Sequence, residues 1–227
     1  MAKCGRREAR RQGLLVYNRT MILVGQYDSP YTRRVAVSLG VLGFTFEHDT
    51  RSVFGDFDSM RTVNPLGRVP SLILPDGTTL IDSAAILDWL DQTVGPERAL
   101  LPPDGLSRQQ ALQRIALATG TIDKVMAAAY ERLIRPAPYR WSDWISRCRA
   151  QAEGGLAALA AHSWTADGPV DQAGITTACM LRYIRLADPD LLPSGRYPSL
   201  DDLSQRYETL PAFRATYPAD YVVPAKG

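Results

Sequence analysis

The feature that most limits the possible folds is a change of pattern near residue 95. Before it, short strand-like runs alternate with helical ones. A buried strand is predicted at "MILVGQY" (21–27), a second strand at 44–49, and a hairpin at "VPSLIL" (69–74) and "TLI" (79–81). Helices are predicted over 30–42 and 83–94. Strands joined through helices pair in parallel, and the hairpin adds an antiparallel edge. The sequence therefore predicts a small α/β domain over residues 21–94.

Helical patterns follow a linker. The stretch "GPERALLPPDG" (95–105) is rich in Pro and Gly, which favours a connection between domains. Apolar residues then recur at spacings of three and four from Leu112 to Leu133, and Ser107 with Gln110 indicates a capping box. Further helices are predicted over 142–163, 171–186 and 199–209. We therefore expect an all-helical domain over residues 106–227.

The charges are divided unevenly along the chain. Residues 1–20 hold six basic groups and one acidic group, whereas the remainder holds 20 basic and 23 acidic groups. A body with a net charge of −3 argues against a nucleic-acid partner. We expect the basic first twenty residues to be a disordered extension, with Met21 as the working start of the protein.

The compartment is predicted from three further observations. No apolar run approaches the roughly 18–20 residues that a membrane-spanning helix needs, and "GLLVY" is too short for a secretion signal. The three cysteines are far apart and odd in number, which indicates neither a disulfide framework nor a metal site. We therefore expect a cytoplasmic protein with no membrane partner and no metal.

One motif, "SPYTRRV" (29–35), joins the first strand to the first helix. Ser29 is placed to cap this helix, with Pro30 at its first position. A plain helix cap explains these residues without any function. The same geometry also offers a hydroxyl and a partial positive charge to an anion, and could stabilise a thiolate that arrives with a ligand.

Two more motifs, "NPLGRVP" (64–70) and "IDSAAI" (81–86), follow "SPYTRRV" in order. Together the three resemble the cytosolic glutathione transferase family, most closely its bacterial and plant members with a catalytic serine. The resemblance implies a thioredoxin-like N-terminal domain, over residues 21–94, and an all-α helical bundle after the linker. It further implies a homodimer that binds glutathione and conjugates its thiol to a small electrophile.

The resemblance also implies roles for particular residues. Ser29 would ionise the glutathione thiol. The backbone of Val69, which precedes a cis peptide bond to Pro70, would bind the cysteinyl part, and Arg68 would meet the glycyl carboxylate.

The γ-glutamyl group and the electrophile are assigned in the same way. Ser83 and its helix N-terminus would hold the γ-glutamyl carboxylate, and Asp82 the ammonium group. We expect the second-substrate pocket to be lined by Tyr31, Tyr130, Arg132 and Trp164.

Two alternative functions stay open at this point. The chain could be a non-catalytic glutathione-transferase-like binding or regulatory protein, although the presence of all three motifs argues against this. It could also be a glutathione-dependent isomerase, dehalogenase or etherase. One departure concerns folding: "DQAG" (171–174) has glycine where the family carries aspartate, so we expect this helix cap to keep half of its bonds.

Overall fold

The structure is a computed structural model that describes residues 20–164 and 168–218. Its first part is a four-stranded sheet in the order β2-β1-β3-β4, formed by β1 (Met21–Val24), β2 (Phe46–Asp49), β3 (Ser71–Ile73) and β4 (Thr79–Ile81). β1 pairs in parallel with β2 and antiparallel with β3, and β3 and β4 form the predicted hairpin. Except for Thr20, the predicted extension over residues 1–20 lies outside the described residues.

The first strand ends earlier than its apolar run does, because of Gly25. This residue has a φ of +128°, and a Cβ there would lie 2.7 Å from both the Thr32 hydroxyl oxygen and the Val69 Cβ. Only glycine permits this approach, since other residues rarely adopt such backbone angles. The close contact brings the N-terminus of the first helix beside the turn that contains Val69.

Three helices belong to this part of the chain: α1 (Pro30–Leu42), α2 (Phe57–Arg61) and α3 (Ser83–Val94). The predicted bounds of α1 and α3 are confirmed. α1 begins after Ser29 and ends where Gly43 adopts a left-handed conformation with a φ of 79°. Most of α1 is buried, since it lies between the sheet and the helices that follow.

The remaining chain is helical: α4 (Gly105–Leu133), α5 (Ser142–Ala160), α6 (Gln172–Ala187), α7 (Pro198–Glu208) and α8 (Pro211–Ala215). Short 3₁₀ turns at Ala137–Tyr139 and Pro189–Leu191 separate some of them. α6 is the central helix, because Ile175 and Cys179 join the core of the first part while Met180 and Leu181 pack against α4 and α5. The predicted fold, a thioredoxin-like domain followed by a helical bundle, is confirmed.

The predicted details of α4 are wrong in two respects. The helix begins at Gly105 and Asp104 occupies the cap position, so Ser107 lies inside the first turn and forms no capping box. Its apolar seam is buried only in part: Ile122 and Ala129 lie in the core, but Leu112 and Leu133 are 44% and 55% exposed. Small residues in the same helix are buried instead, because they allow the close approach of α5 and α6; these include Ala111, Ala118 and Ala128.

The cap of α6 is more complete than the sequence predicts. The Asp171 side chain accepts the Gly174 N–H at 2.7 Å. The Tyr207 hydroxyl, from α7, accepts the Asp171 N–H at 3.5 Å and so supplies the acceptor that Gly174 lacks. A side chain at Gly174 would overlap the Tyr207 ring and hydroxyl. Gly174 therefore leaves space for the Tyr207 ring, and the Tyr207 hydroxyl accepts the hydrogen bond that an aspartate at position 174 would otherwise accept.

Candidate functional site

Two adjoining cavities lie where the sheet domain meets α4 and α6. The first cavity has a volume of about 480 Å³, and its walls include Ser29, Tyr130 and Tyr183. The second cavity, of about 380 Å³, is lined by residues that include Asp82 and Ser83. Both share Tyr31, Arg68 and Val69 as walls. The three sequence motifs thus meet along one continuous cleft.

Ser29 stands at the N-terminus of α1 and lines the first cavity. Its oxygen accepts the Thr32 N–H at 3.3 Å. Because this bond uses an oxygen lone pair, the hydroxyl proton is left available for a ligand. The helix N-terminus adds partial positive charge at the same point. The arrangement suits an anion or a group that becomes anionic.

The backbone of Val69 faces the boundary between the two cavities. The Val69–Pro70 peptide bond is cis, and within the described residues the Val69 N–H and C=O make no hydrogen bond. The preceding turn is held by Asn64, whose side chain donates to the Arg68 carbonyl at 2.8 Å and accepts the Leu66 N–H at 3.0 Å. A short extended peptide could therefore pair with Val69 as an added strand.

Asp82 begins α3 in a strained conformation. Its φ of 51° is the one positive value among non-glycine residues in the described part of the chain. Such strain costs roughly 1–3 kcal/mol and is concentrated at functional sites. The Asp82 carboxylate accepts the Ala84 N–H at 3.0 Å and reaches the rim of the second cavity.

A buried cation lies behind Ser83. The Arg34 Nη2 atom donates to the Ser83 hydroxyl oxygen at 2.7 Å. Arg34 is 3% exposed, and its Nε atom has no partner within the described residues. Burial lowers the pKa of this guanidinium, although nearby Tyr31 and Asp82 act in the opposite direction. A carboxylate bound in the second cavity would compensate this buried charge.

Tyr31 lies between the cavities but turns its hydroxyl towards α4. The hydroxyl donates to the Asp123 carboxylate at 2.5 Å. Burial raises the pKa of Tyr31, and Asp123 raises it further. Asp123 itself lines the second cavity, so this end of the cleft holds two exposed carboxylates, Asp82 and Asp123, beside Arg34.

A smaller side cavity, of about 210 Å³, opens from the first cavity. The two share Asp28, Phe54, Tyr130 and Tyr183 as walls. Its other walls are apolar and come from α4, α6 and the residues that end them. The side cavity gives the cleft an apolar extension beside Ser29.

The predicted second-substrate residues are only partly brought together. Tyr31 and Tyr130 line the first cavity, but Arg132 and Trp164 line none of the three cavities. Arg132 forms an ion pair with buried Asp188 at 2.9 Å. The Trp164 indole donates to the Leu159 carbonyl at 3.0 Å and packs into the core. Both side chains are held by contacts within the helical domain, and their place in the second-substrate pocket stays a prediction.

Sequence reasoning missed four residues that line the cleft: Asp28, Arg34, Asp123 and Tyr183. Only Arg34 left a usable signal, since a charged residue on the inner face of an apolar helix needs a polar partner. Asp123 and Tyr183 come from helices far along the chain, and nothing in their local sequence distinguishes them. Asp28 adjoins the Ser29 motif, where a turn explains its presence equally well.

Residues 20–164 and 168–218 contain neither a metal-binding cluster nor a membrane-spanning helix. No group of three or more His, Cys, Asp or Glu side chains there is arranged to hold a metal ion. No helix in the same part of the chain has the length and apolar character that crossing a membrane requires.

Comparison with known proteins supplies the family. Residues 23–98 match the glutathione S-transferase N-terminal domain. The uncharacterised GST-like protein YibF of Escherichia coli K12 is 31% identical over 170 residues, which cover 72% of this chain and 82% of YibF. A probable maleylacetoacetate isomerase of Drosophila melanogaster is 29% identical over 209 residues, or 87% of this chain and 81% of the relative.

A solved structure agrees with these sequence matches. The glutathione S-transferase of Methylobacterium radiotolerans, in complex with glutathione sulfonate, superposes with a TM-score of 0.82 at 31% identity. The match covers 90% of this chain and 97% of that one. The chain therefore belongs to the cytosolic glutathione S-transferase family.

Proposed function

We propose that the protein binds glutathione in the cleft and transfers its thiolate sulfur to a small electrophile. The observation that carries this proposal is the position of Ser29, which lines a cavity that continues past the unpaired Val69 backbone to Arg34 and Ser83, and whose hydroxyl accepts one hydrogen bond and donates none within the described residues. This sequence of groups matches a thiol, a peptide and a carboxylate in turn. The glutathione sulfonate complex of the Methylobacterium relative supports the same ligand.

The tripeptide is placed by complementary charges. Its γ-glutamyl carboxylate pairs with Arg34 and Ser83 in the second cavity, and its ammonium group faces Asp82 and Asp123. Its cysteinyl backbone pairs with Val69 in the manner of an added strand. Arg68, which is exposed and lines both cavities, receives the glycyl carboxylate.

The chemistry then rests on the thiolate. A free thiol has a pKa of about 8.5 and reacts in its ionised form. The Ser29 hydroxyl donates a hydrogen bond to the sulfur anion, and the N-terminus of α1 stabilises the same charge. The sulfur forms a bond to the electrophilic carbon, and in a displacement the leaving group departs with the electron pair of its own bond. Holding both reactants in one cleft supplies proximity.

A second candidate function is glutathione-dependent isomerisation. It is favoured by the relatives named maleylacetoacetate isomerase, including one from Pseudomonas aeruginosa at 25% identity over 88% of this chain. The same thiolate would add reversibly to the substrate and leave again after bond rotation. A non-catalytic binding protein is less consistent with the chain, because all three motifs are present and Ser29, Val69 and Ser83 line the same cleft.

Two measurements test the proposed function. Isothermal titration with glutathione tests the binding step, and thiol consumption with a panel of halides, epoxides and enones tests the transfer. Titratable glutathione binding together with catalysed thiol loss is the expected result. Absence of glutathione binding would overturn the proposal. Binding without turnover on any electrophile would favour the non-catalytic alternative, and conversion of maleylacetoacetate without net loss of thiol would favour isomerisation. The expected homodimer is tested separately by light scattering.

A further inference from the structure

Most walls of the side cavity are apolar. Five of the large apolar side chains that the protein exposes lie around it, and these are Phe54, Tyr130, Leu133, Ile134 and Leu186. Exposed apolar groups gathered in one concave place indicate a binding site rather than scattered surface residues. The body of a bound small molecule therefore belongs here, next to the position of the sulfur.

One charged group stands at the entrance to the side cavity. Among the described residues that line it, Asp28 is the single charged side chain. Its Oδ1 atom accepts the Ser29 N–H at 2.8 Å, which fixes the carboxyl group at the junction with the first cavity. Its second oxygen makes no hydrogen bond within the described part of the chain, so it remains open to a ligand.

The two phenol groups beside Asp28, those of Tyr130 and Tyr183, are also available to a ligand. Neither the Tyr130 nor the Tyr183 hydroxyl makes a hydrogen bond with another described residue. Burial raises the pKa of both phenols and of Asp28, and the Asp28 charge acts on both phenols in the same direction. The three groups therefore form one polar spot, of negative or neutral character, in an otherwise apolar enclosure.

The arginine side chains nearest the cleft that could balance an anion are paired with other groups. The guanidinium of Arg51 is paired with Asp49 at 2.7 Å, and those of Arg132 and Arg149 share the Asp188 carboxylate. Arg68 is taken up by the glycyl carboxylate under the proposed function. None of these guanidinium groups lines the side cavity, so an anion on the electrophile would lie there without a counter-ion in contact, which is strongly unfavourable.

We propose that Asp28 is a specificity-determining residue: the side cavity accepts uncharged apolar electrophiles, and Asp28 rejects electrophiles that carry a carboxylate. This inference rests on the proposed function, since it assumes that glutathione occupies the main cleft. The inference names the class of electrophile that the side cavity accepts. It disfavours the second candidate function, glutathione-dependent isomerisation, because maleylacetoacetate is an anion. Like charges a few ångströms apart repel appreciably even at the effective dielectric constant of a protein surface.

A pair of glutathione conjugates tests the inference without depending on turnover. One is an S-dinitrophenyl conjugate with a carboxylate on the ring, and the other is its methyl ester. We expect the ester to bind about tenfold more tightly or better, equivalent to about 1.4 kcal/mol. In Asp28→Asn, which keeps the Oδ1 acceptor for the Ser29 N–H, the ratio should fall to about threefold or less. A general loss of affinity in the variant cancels in this ratio.

Asp58→Asn is the matched control. It removes the same charge from an exposed position on α2 that lines none of the three cavities, so the ratio should stay at its original value. Equal binding of acid and ester, or a ratio that Asp28→Asn leaves intact, would overturn the inference while glutathione binding stands. Failure of glutathione itself to bind would overturn the proposed function, and the inference with it.

Discussion

Replacement of Ser29 by alanine separates the two roles of its hydroxyl group. The oxygen caps α1 by accepting the Thr32 N–H at 3.3 Å, and the proton is proposed to stabilise the thiolate. Alanine removes both interactions. Pro30 and the helix N-terminus remain, so the partial charge of α1 still acts on the sulfur.

The expected effect on the thiol follows from the strength of one bond. A hydrogen bond to a charged group contributes roughly 1.5–3 kcal/mol, which corresponds to a rise of about one to two units in the pKa of the bound thiol. Below both pKa values, the thiolate fraction and the turnover should therefore fall about ten- to hundredfold. Glutathione affinity should change little, because most of its contacts lie elsewhere.

The assay is a pH titration of the ultraviolet absorbance of the bound thiolate, together with pH profiles of kcat. The rise in rate with pH should move upwards with the thiol pKa, and at high pH much of the rate should return. Loss of the cap lowers the free energy of unfolding by about 0.5–2 kcal/mol, so stability needs its own control. Asp171→Ala removes a comparable cap, from α6, away from the cleft.

The outcome for the two variants must differ. Asp171→Ala should lose stability and keep the thiol pKa, whereas Ser29→Ala should lose stability and raise it. If the bound thiol titrates at the same pH in Ser29→Ala and in the parent protein, the hydroxyl does not act on the sulfur. The role proposed for Ser29 would then be refuted, however much the rate had fallen.

Three further substitutions test the cleft and the cap of α6. Arg34→Met should weaken glutathione binding about tenfold or more in calorimetry, because the γ-glutamyl carboxylate loses a hydrogen-bonded charge; an unaltered Kd would remove Arg34 from the site. Tyr207→Phe should lower the free energy of urea unfolding by about 0.5–1.5 kcal/mol at constant glutathione affinity, and equal stability would show that its bond to the Asp171 N–H contributes nothing. Gly174→Ala should cost about 1–3 kcal/mol through overlap with Tyr207, and a stability equal to that of the parent would contradict this packing.

Elements with strong local signals were predictable from the sequence. α1 lies between the Ser29–Pro30 pair and Gly43, so both of its ends are determined within one turn. α3 follows Asp82 and ends at Gly95 in the same way. The hairpin of β3 and β4 followed from the turn at residues 75–77. These signals act between neighbours and need no knowledge of the rest of the chain.

Signals that depend on distant contacts were misinterpreted. The capping box at Ser107 had the correct spacing, but the cap position is Asp104, three residues earlier. The apolar seam of α4 followed large side chains, whereas the buried face consists mainly of small ones, because α5 and α6 approach closely. The cap of α6 could not be predicted in full, since its second acceptor is Tyr207 from α7.

For the cleft, the sequence by itself determined three motifs that line it: Ser29 at a helix start, Val69 before a proline, and Asp82 with Ser83 at the next helix start. Each is a local arrangement of backbone and side chain within a few residues. Only the tertiary structure decided what surrounds them, including Arg34 behind Ser83, Asp123 opposite, and Asp28 with Tyr183 at the side cavity. The physical reason is that a cavity is enclosed by segments far apart in the chain, whose approach depends on the packing of whole helices.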